Sequence, residues 1–404
     1  MTSPPALHVL VFNSGSSSLK FALLRVDERG AMPVLSGAAE AIAGARGRFH
    51  VSKPEQMLVD EVIFFADADQ ALRRIVIALD AHSPTAPDIV AHRIVHGGPR
   101  LRHPVVIDAQ VLRQLEDASA FAPVHGLPAL TVVRLARATF PAVPHIACFD
   151  TSFHVTLPAL ARTLPIAAAL RDAGIERYGF HGLSCASIVR KLGVNLPARV
   201  VIAHLGNGAS LTAIKDGKSI DTSMGLTPSG GVTMGTRSGD LDPGVLIYLL
   251  REKRYDTAML EELIDHRSGL LGISGISGDM RELHAVAATH AAAQLAIALF
   301  CYAVRKQIAA MSAALEGLDL LVFTGGIGEH DAVVRAMICA GLAWLGIALD
   351  EARNRAECTV IGTQDSRCAI RVERSEEAEQ IALDAWALLS RGAVPAGGRV
   401  TPPT

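Results

Sequence analysis

The chain has 404 residues, half of them apolar, with 38 basic and 40 acidic side chains and a net charge of −2. That length exceeds the size at which one hydrophobic core stops growing and predicts two domains. The balanced charge gives no electrostatic case for a nucleic-acid or membrane partner, and 35 glycines with 4% aromatics argue against a fibre or a disordered chain. Six cysteines (Cys148, Cys185, Cys301, Cys339, Cys358, Cys368) form no C-x-x-C pair and read as reduced thiols. The opening MTSPPALHVLVF lacks the basic segment and long apolar stretch of a signal peptide, so the expected location is the cytoplasm.

The first element is a strand–turn–strand unit, His8–Val26. Apolar runs Val9–Phe12 and Phe21–Leu24 flank Asn13-Ser14-Gly15-Ser16-Ser17-Ser18-Leu19-Lys20. An ordinary hairpin turn takes Asn-Gly or Asp-Gly. Four serines, an asparagine and a lysine suit either a solvated turn or a phosphate cradle of N–H groups, hydroxyls and one cation. The polar, glycine-bearing stretch Gly37–Lys53 reads as an excursion from the first sheet. Strands follow at Asp88–Gly98, which carries Arg93, and at His145–Phe153, which carries Asp150 at the end of its apolar run. Helical patterns lie at Ala109–Glu116 and Leu127–Thr139.

A second strand–turn–strand, Arg199–Ile214, holds His204-Leu205-Gly206-Asn207-Gly208. Helical patterns at Thr257–Asp265 and Ala285–Leu315 come next; within the latter, Ala291–Val304 reads as a buried core helix too short to span a bilayer. The strand at Leu318–His330 runs into Thr324-Gly325-Gly326-Ile327-Gly328-Glu329. Glu377 sits in ERSEEAEQIA, where the plain reading is a solvated helix start that favours glutamate. The end, Gly392–Thr404, is Pro/Gly-rich and reads as disordered.

Strand–turn–helix alternation predicts an α/β chain with ligands at the C-terminal ends of the strands. The two strand–turn–strand units echo one another: without a gap, Ser18 falls on Ser210 and Leu19 on Leu211. That suggests a duplicated domain with two phosphate loops. Gly230–Thr236 has the glycine spacing of a P-loop but lacks Lys-Ser/Thr after it, and no G-x-G-x-x-G opens a helix at these turns. P-loop and Rossmann nucleotide sites are therefore disfavoured. Arg93 and Arg237 stand beside glycines, where a forked guanidinium suits phosphate or carboxylate oxygens. His125, His181 and His204 also stand beside or just ahead of glycines and can donate to developing phosphate charge. Asp150, at a strand end beside such loops, is a natural Mg²⁺ ligand, direct or through water.

Taken in order, NSGSSSLK, HRIVHGG, FDTSFH, YGFHG, AHLGNGAS, DTSMGLTP, MGTRSGDLDP, SGISGDMREL and FTGGIGE resemble the acetate kinase family of the actin-like ATPase superfamily across nearly the whole chain. The resemblance implies an α/β fold of two duplicated RNase H-like domains with a nucleotide cleft between them. It implies residues 1–152 as the first domain, completed by a C-terminal helix at about 382–393. Residues 153–381 then form the second, nucleotide-binding and dimerising domain, and 394–404 a disordered tail. The implied activity is reversible, Mg²⁺-dependent transfer of the ATP γ-phosphoryl group to acetate, giving ADP and acetyl phosphate, with Mn²⁺ as a substitute metal.

By the same resemblance, Arg93, Asp150, His181, Arg237, His125 and His204 are the catalytic set. Ser16, Ser18 and Lys20 belong to the phosphate-side hairpin, and Asn13 and Glu377 serve the metal. His204, Asn207 and Gly208 cradle the nucleotide phosphates. Asp279, Met280, Arg281, Gly326, Ile327 and Gly328 hold the adenosine, while Val95, Val124, Phe180 and Pro228 line the methyl pocket with Arg93. The implied partners are acetate, ATP and a second copy of the chain through the C-terminal domain, with no nucleic acid and no membrane. A carboxylate is already nucleophilic at pH 7, so direct in-line transfer needs positioning and charge neutralisation and no general base. Closure that excludes water is expected to protect ATP from hydrolysis.

The chain departs from the family pattern at Gly126-Leu127, at Leu183 and Cys185 after the FHG triplet, and at His330. At the C-terminal signature a one-residue shift would exchange Glu376 for Glu377. Two other readings stay open: a propionate or butyrate kinase, and a catalytically silent ATP-binding sensor.

Overall fold

The computed structural model describes residues 6–15, 17–44, 46–83, 85–121 and 123–390, without the side chains of 123–125. The tail expectation falls outside the described residues. The chain forms two compact units. One takes residues up to Ser152 and from Glu377 onward; the other is Phe153–Glu376.

The first unit is built on strands β1 (Leu7–Ser14), β2 (Ser18–Asp27), β3 (Gly30–Glu40), β4 (Gly47–Lys53), β5 (Gln56–Ile63), β6 (Ile89–Ile94), β7 (Val105–Val106) and β8 (His145–Phe149). They form one sheet in the order β5-β4-β3-β2-β1-β6-β8-β7. The second unit holds β9 (Arg199–Leu205), β10 (Ala209–Lys215), β11 (Lys218–Thr222), β12 (Leu320–Thr324) and β13 (Ala369–Val372), in the order β11-β10-β9-β12-β13.

The duplication lies in these two orders. β3-β2-β1-β6-β8 and β11-β10-β9-β12-β13 share one topology. In each, three strands run antiparallel, and then two more pair parallel to the first strand and to each other. This is the RNase H-like arrangement, present twice. The ungapped sequence echo lays β1 on β9 and β2 on β10 but misses the register of each pair: Leu19 pairs with Ser14, whereas Leu211 pairs with Ala203, three residues short of the position the echo gives.

Period-two alternation explains how each central strand is covered on both faces. On β1, Leu10 and Phe12 enter a core with Ala71, Leu72 and Ile75 of helix Ala68–His82 and Val132 and Ala136 of helix Pro123–Thr139. Val9 and Val11 are equally buried but point the other way. Helix Glu377–Ser390 packs on β1, β2, β3, β6 and β8 and buries Ile381, Ala382 and Ala385. A buried side chain the size of Ile381 is worth roughly 1.5–3 kcal/mol. The returning helix thus begins at Glu377, ahead of the expected 382. In the second unit, Val200 and Ile202 of β9 pack with Cys185, Ile188 and Leu192 of helix Gly182–Leu192. Helix Ala291–Ala314 packs against β9, β10 and β11.

Several expectations change. Gly37–Lys53 is no excursion: β3 and β4 are full members of the sheet, paired in register from Ser36↔Ser52 to Glu40↔Arg48. Their small and polar side chains disguise a half-covered surface as a loop. The single helix at Ala285–Leu315 is two helices, Met280–Val286 and Ala291–Ala314, parted where His290 turns extended. The second is 24 residues long and holds an 18-residue stretch of mean hydropathy 1.3, long and apolar enough to cross a bilayer. Its apolarity has a local cause, since Ala293, Ala296, Ile297, Phe300, Cys301, Val304, Ile308 and Met311 are buried within the unit.

Strands β6 and β8 of the first unit carry a buried histidine pair, His92 and His145. His145 Nε2 is 3.1 Å from the Phe140 carbonyl, which can only accept, so that nitrogen carries the proton. His145 Nδ1 then accepts from His92 Nε2 at 3.0 Å. Burial holds both rings neutral, with His92 pushed down to about 3. A base whose folded pKa is depressed gives stability that is full above the unfolded value near 6.5 and is lost as pH falls toward 3. His92 alone predicts a loss of roughly 2 kcal/mol at pH 5. Urea midpoints at pH 7.5 and 5 measure it, and His92→Phe should flatten the difference; an unchanged slope would refute the assignment.

Candidate active site

In the first unit the predicted residues gather at the C-terminal ends of neighbouring strands. Asn13 is the last residue but one of β1, Arg93 lies near the end of β6, and Asp150 follows β8, its N–H bonded to the Ile94 carbonyl at 3.0 Å. Arg93 forks onto Asp150, Nε to Oδ1 at 2.9 Å and Nη2 to Oδ2 at 2.5 Å. Its remaining arm donates to Asn13 Oδ1 at 3.0 Å. Glu377 Oε2 lies 4.0 Å from Arg93 Nε. Burial by itself would push the Arg93 pKa down, but the negative charges of Asp150 and Glu377 more than offset it and raise the pKa, so the guanidinium stays charged.

The structure separates the two C-terminal candidates. Glu376 turns to Arg190 (2.9 Å) and Lys191 (3.5 Å), while Glu377 faces Arg93. Lys20 pairs across the hairpin with Asn13 and is exposed; Ser18 opens β2, and its carbonyl accepts from Gly15 N–H at 2.8 Å. Val95 follows β6, half-buried. Ser16 lies outside the described residues. Val124 and His125 fall in helix Pro123–Thr139 rather than in a glycine turn, and their side chains lie outside the description.

In the second unit, His181 caps helix Gly182–Leu192 in the left-handed region, φ 56°. Its Nδ1 is 2.9 Å from Ser210 Oγ on β10, and its ring stacks on His204 at 4.2 Å. His204 Nδ1 is held by Ser184 Oγ at 2.9 Å. The turn after β9 comes close to this pair: a Cβ on Gly208 would sit 3.3 Å from His181 Nε2 and 3.4 Å from Arg237 Nη1. Arg237 donates to the Pro228 carbonyl at 3.2 Å. Asn207 packs on Gly235, where a Cβ would fall 2.3 Å from Asn207 Oδ1, so a larger residue there would displace the Asn207 side chain. Phe180 and Pro228 are buried.

The glycine turn after β12 is itself a six-residue helix, Gly325–His330, rather than a turn ahead of one. A Cβ on Gly326 would meet nothing within 4 Å, so the backbone there has open space beside it. Ile327 is half-buried and Gly328 buried. Asp279 caps helix Met280–Val286 and pairs with exposed Arg281 at 2.5 Å; Met280 is buried.

Sequence reasoning missed the residues that hold these groups. Ser184 and Ser210 orient the two histidines, and a lone serine has no pattern to betray it. Arg335, fully buried, donates to the carbonyls of Gly328 and Glu329, both at 2.9 Å, and to Asn354 Oδ1 at 2.8 Å. It ties down the end of the glycine helix. Cys185 is buried with its Sγ 3.6 Å from Thr212 Oγ1, so this departure faces the core. His330 is an exposed neighbour of Glu329.

The oxygen donors of the first unit suit a hard divalent cation: the Asn13 amide oxygen and the carboxylates of Asp150 and Glu377 share one arginine. Among the described residues no group of three or more His, Cys, Asp or Glu side chains could hold a metal by itself. A Mg²⁺ ion held by one or two carboxylates and completed by phosphate oxygens and water is consistent with that.

A twice-repeated RNase H-like sheet places the chain in the fold class of the actin-like ATPase superfamily. The acetokinase family model matches residues 8–383. An acetate kinase of Methylocella silvestris is 40% identical over 399 residues, 95% of this chain and 98% of its own. One from Clavibacter michiganensis is 40% identical over 389 residues, 93% and 97% of the two chains. Among solved structures, a propionate kinase from Francisella tularensis aligns with TM-score 0.88 and 35% identity, covering 94% of this chain and 99% of that one. The Porphyromonas gingivalis acetate kinase aligns with TM-score 0.84 and 33% identity, covering 95% and 100%. The chain belongs to the acetokinase family.

Proposed function

We propose that the protein is an acetate kinase, transferring the γ-phosphoryl group of ATP to acetate with Mg²⁺, reversibly and without a phosphoenzyme. The observation that carries this reading is the family match over residues 8–383 in a chain whose Arg93–Asp150–Asn13 fork is complete. Arg93 and Arg237 neutralise the transferred phosphoryl and orient the acid's carboxylate. His181, held by Ser210, donates to the phosphoryl oxygens, with His204 and His125 in support. Asn207 and Gly208 take the nucleotide phosphates with Ser16, Ser18 and Lys20. Asp279, Met280, Arg281 and the Gly326–Gly328 backbone hold the adenosine. Val95, Val124, Phe180 and Pro228 receive the methyl group.

Asn13, Asp150 and Glu377 would hold the metal, whose part is to neutralise phosphate charge. The acid is ionised at neutral pH, so no residue has to act as a base. Positioning and charge neutralisation supply the rate.

The likeness to a propionate kinase makes chain length the sharpest question. One methylene in an apolar pocket is worth about 1–3 kcal/mol, so the preference should be modest. Acyl phosphate trapped with hydroxylamine from ATP, Mg²⁺ and acetate, propionate or butyrate measures it. Acetate in front, with product lost on chelating the metal, is the expected result. A longer acid in front moves the assignment to another acyl kinase. ATP binding with no product from any acid makes the silent-sensor reading the better one.

We also propose a homodimer through the second unit and a cytoplasmic location. Helix Pro243–Glu252, PGVLIYLLRE, buries no residue within its own chain, leaving Val245, Ile247, Tyr248 and Leu250 exposed. An apolar helix with no cover marks an interaction face. Sedimentation at micromolar concentration should give twice the chain mass, and charged substitutions at Ile247 and Tyr248 should halve it; a monomer would discard the proposal.

A further inference from the structure

His154 closes the FDTSFH stretch and takes no part in the roles above, yet its ring is 2% exposed and bonded at both nitrogens. Nε2 lies 2.9 Å from the Phe180 carbonyl, and Nδ1 lies 2.9 Å from Ser219 Oγ. A carbonyl only accepts, so Nε2 carries the proton and Nδ1 accepts from the serine hydroxyl. The carbonyl it grips belongs to the peptide that joins Phe180 to His181. We propose that His154, set by Ser219, is the positioning residue for His181, holding the Phe180–His181 peptide so that His181 keeps its left-handed backbone and its place against Ser210 and His204. This rests on the role given to His181 above.

Three observations carry it. His181 has φ 56° without being glycine, a conformation that costs about 1–2 kcal/mol and persists only where surroundings over-determine it. The bond from Cys185 N–H to the His181 carbonyl, at 3.0 Å, fixes the following side; the bond from His154 fixes the preceding one. The loop also rests directly on the ring. At Gly179, φ 74°, a Cβ would lie 2.8 Å from two carbons of His154 and 2.5 Å from Thr222 Cγ2. The loop is anchored upstream too, by Tyr178 N–H to the Gly225 carbonyl at 3.0 Å and by Arg177 Nη1 to the Thr222 carbonyl at 2.9 Å. Burial pushes the ring's pKa down to about 4, so it stays neutral and keeps this one tautomer at working pH. Freed of the bond to Phe180, the backbone at His181 can relax to negative φ, which carries the imidazole away from Ser210.

The test is a double-mutant cycle on the full-length protein, with thermal melting as the check on folding. His154→Phe keeps a ring of similar shape and removes both bonds. It should lower kcat about 10- to 100-fold, the scale of an ångström-size misplacement, with the KM for ATP within about twofold. His154→Gln, which can still donate to a carbonyl, should recover most of that. In the His181→Ala background, His154→Phe should cost nothing further. Multiplying losses, or a Gln variant no better than Phe at equal stability, would overturn the inference. If His154→Phe fails to fold, Ser219→Ala enters the same cycle under the same criteria. Undiminished turnover in His181→Ala alone would remove the role of His181 itself and this inference with it, an outcome read apart from the cycle.

Discussion

Arg93→Ala is expected to lose turnover by about 10³- to 10⁵-fold, the range seen where an arginine neutralises a transferring phosphoryl group. It is also expected to lose stability, for a separate reason. Asp150 is 1% exposed, and both of its oxygens are held by Arg93. Removing one partner of a buried pair leaves an uncompensated charge and costs about 3–5 kcal/mol. The two losses must therefore be told apart by measuring kcat per folded molecule, with melting curves alongside. Arg93→Lys separates them further. It restores a cation for Asp150 but cannot reproduce the fork together with the bond to Asn13. The lysine variant should melt near the parent and still turn over at least about a hundredfold more slowly. A lysine enzyme with near-parental kcat would mean that Arg93 supplies only charge.

Arg237→Ala is expected to lower kcat by about 10³-fold, read per folded molecule with melting curves alongside. Its half-buried guanidinium donates to the Pro228 carbonyl and approaches Met234 Sδ at 3.9 Å. Its closeness to the Gly208 backbone, which also faces His181, is what supports the role proposed for it. Turnover within tenfold of the parent, in a folded protein saturated with both substrates, would take Arg237 out of the reaction.

Strands buried on both faces announced themselves: β1, β6, β8, β9 and β12 are short apolar runs ended by a polar or glycine turn, and the strand-end residues Asn13, Arg93, Asp150 and His204 followed from them. β3 and β4 did not, because Ser36, Gly37 and Ala38 interrupt the apolar run; at Gly37 a Cβ would fall 2.2 Å from the His50 carbonyl, so the strand is small where the packing is close. The choice between Glu376 and Glu377 was beyond any pattern, since neighbours at a helix start diverge in space and only the fold says which one meets Arg93. Ser184, Ser210 and Ser219 were invisible for a related reason. Each acts through a single hydroxyl bond, and a single small polar residue has no periodicity.

Of the described helices, the one that closes the first unit is the last to be made. During synthesis β1 through β8 emerge early, but the face carrying Val9 and Val11 stays uncovered until Ile381 and Ala385 leave the ribosome. At roughly 5–20 residues per second, the whole of Phe153–Glu376 must be translated first, a delay on the order of tens of seconds. For that interval the first-made half of the protein carries an open apolar sheet face, while the later-made half contains every element of its own sheet. Vectorial folding is thus reversed in this chain: the amino-terminal half is first to be translated and last to be finished, and Glu377 arrives with the segment that finishes it.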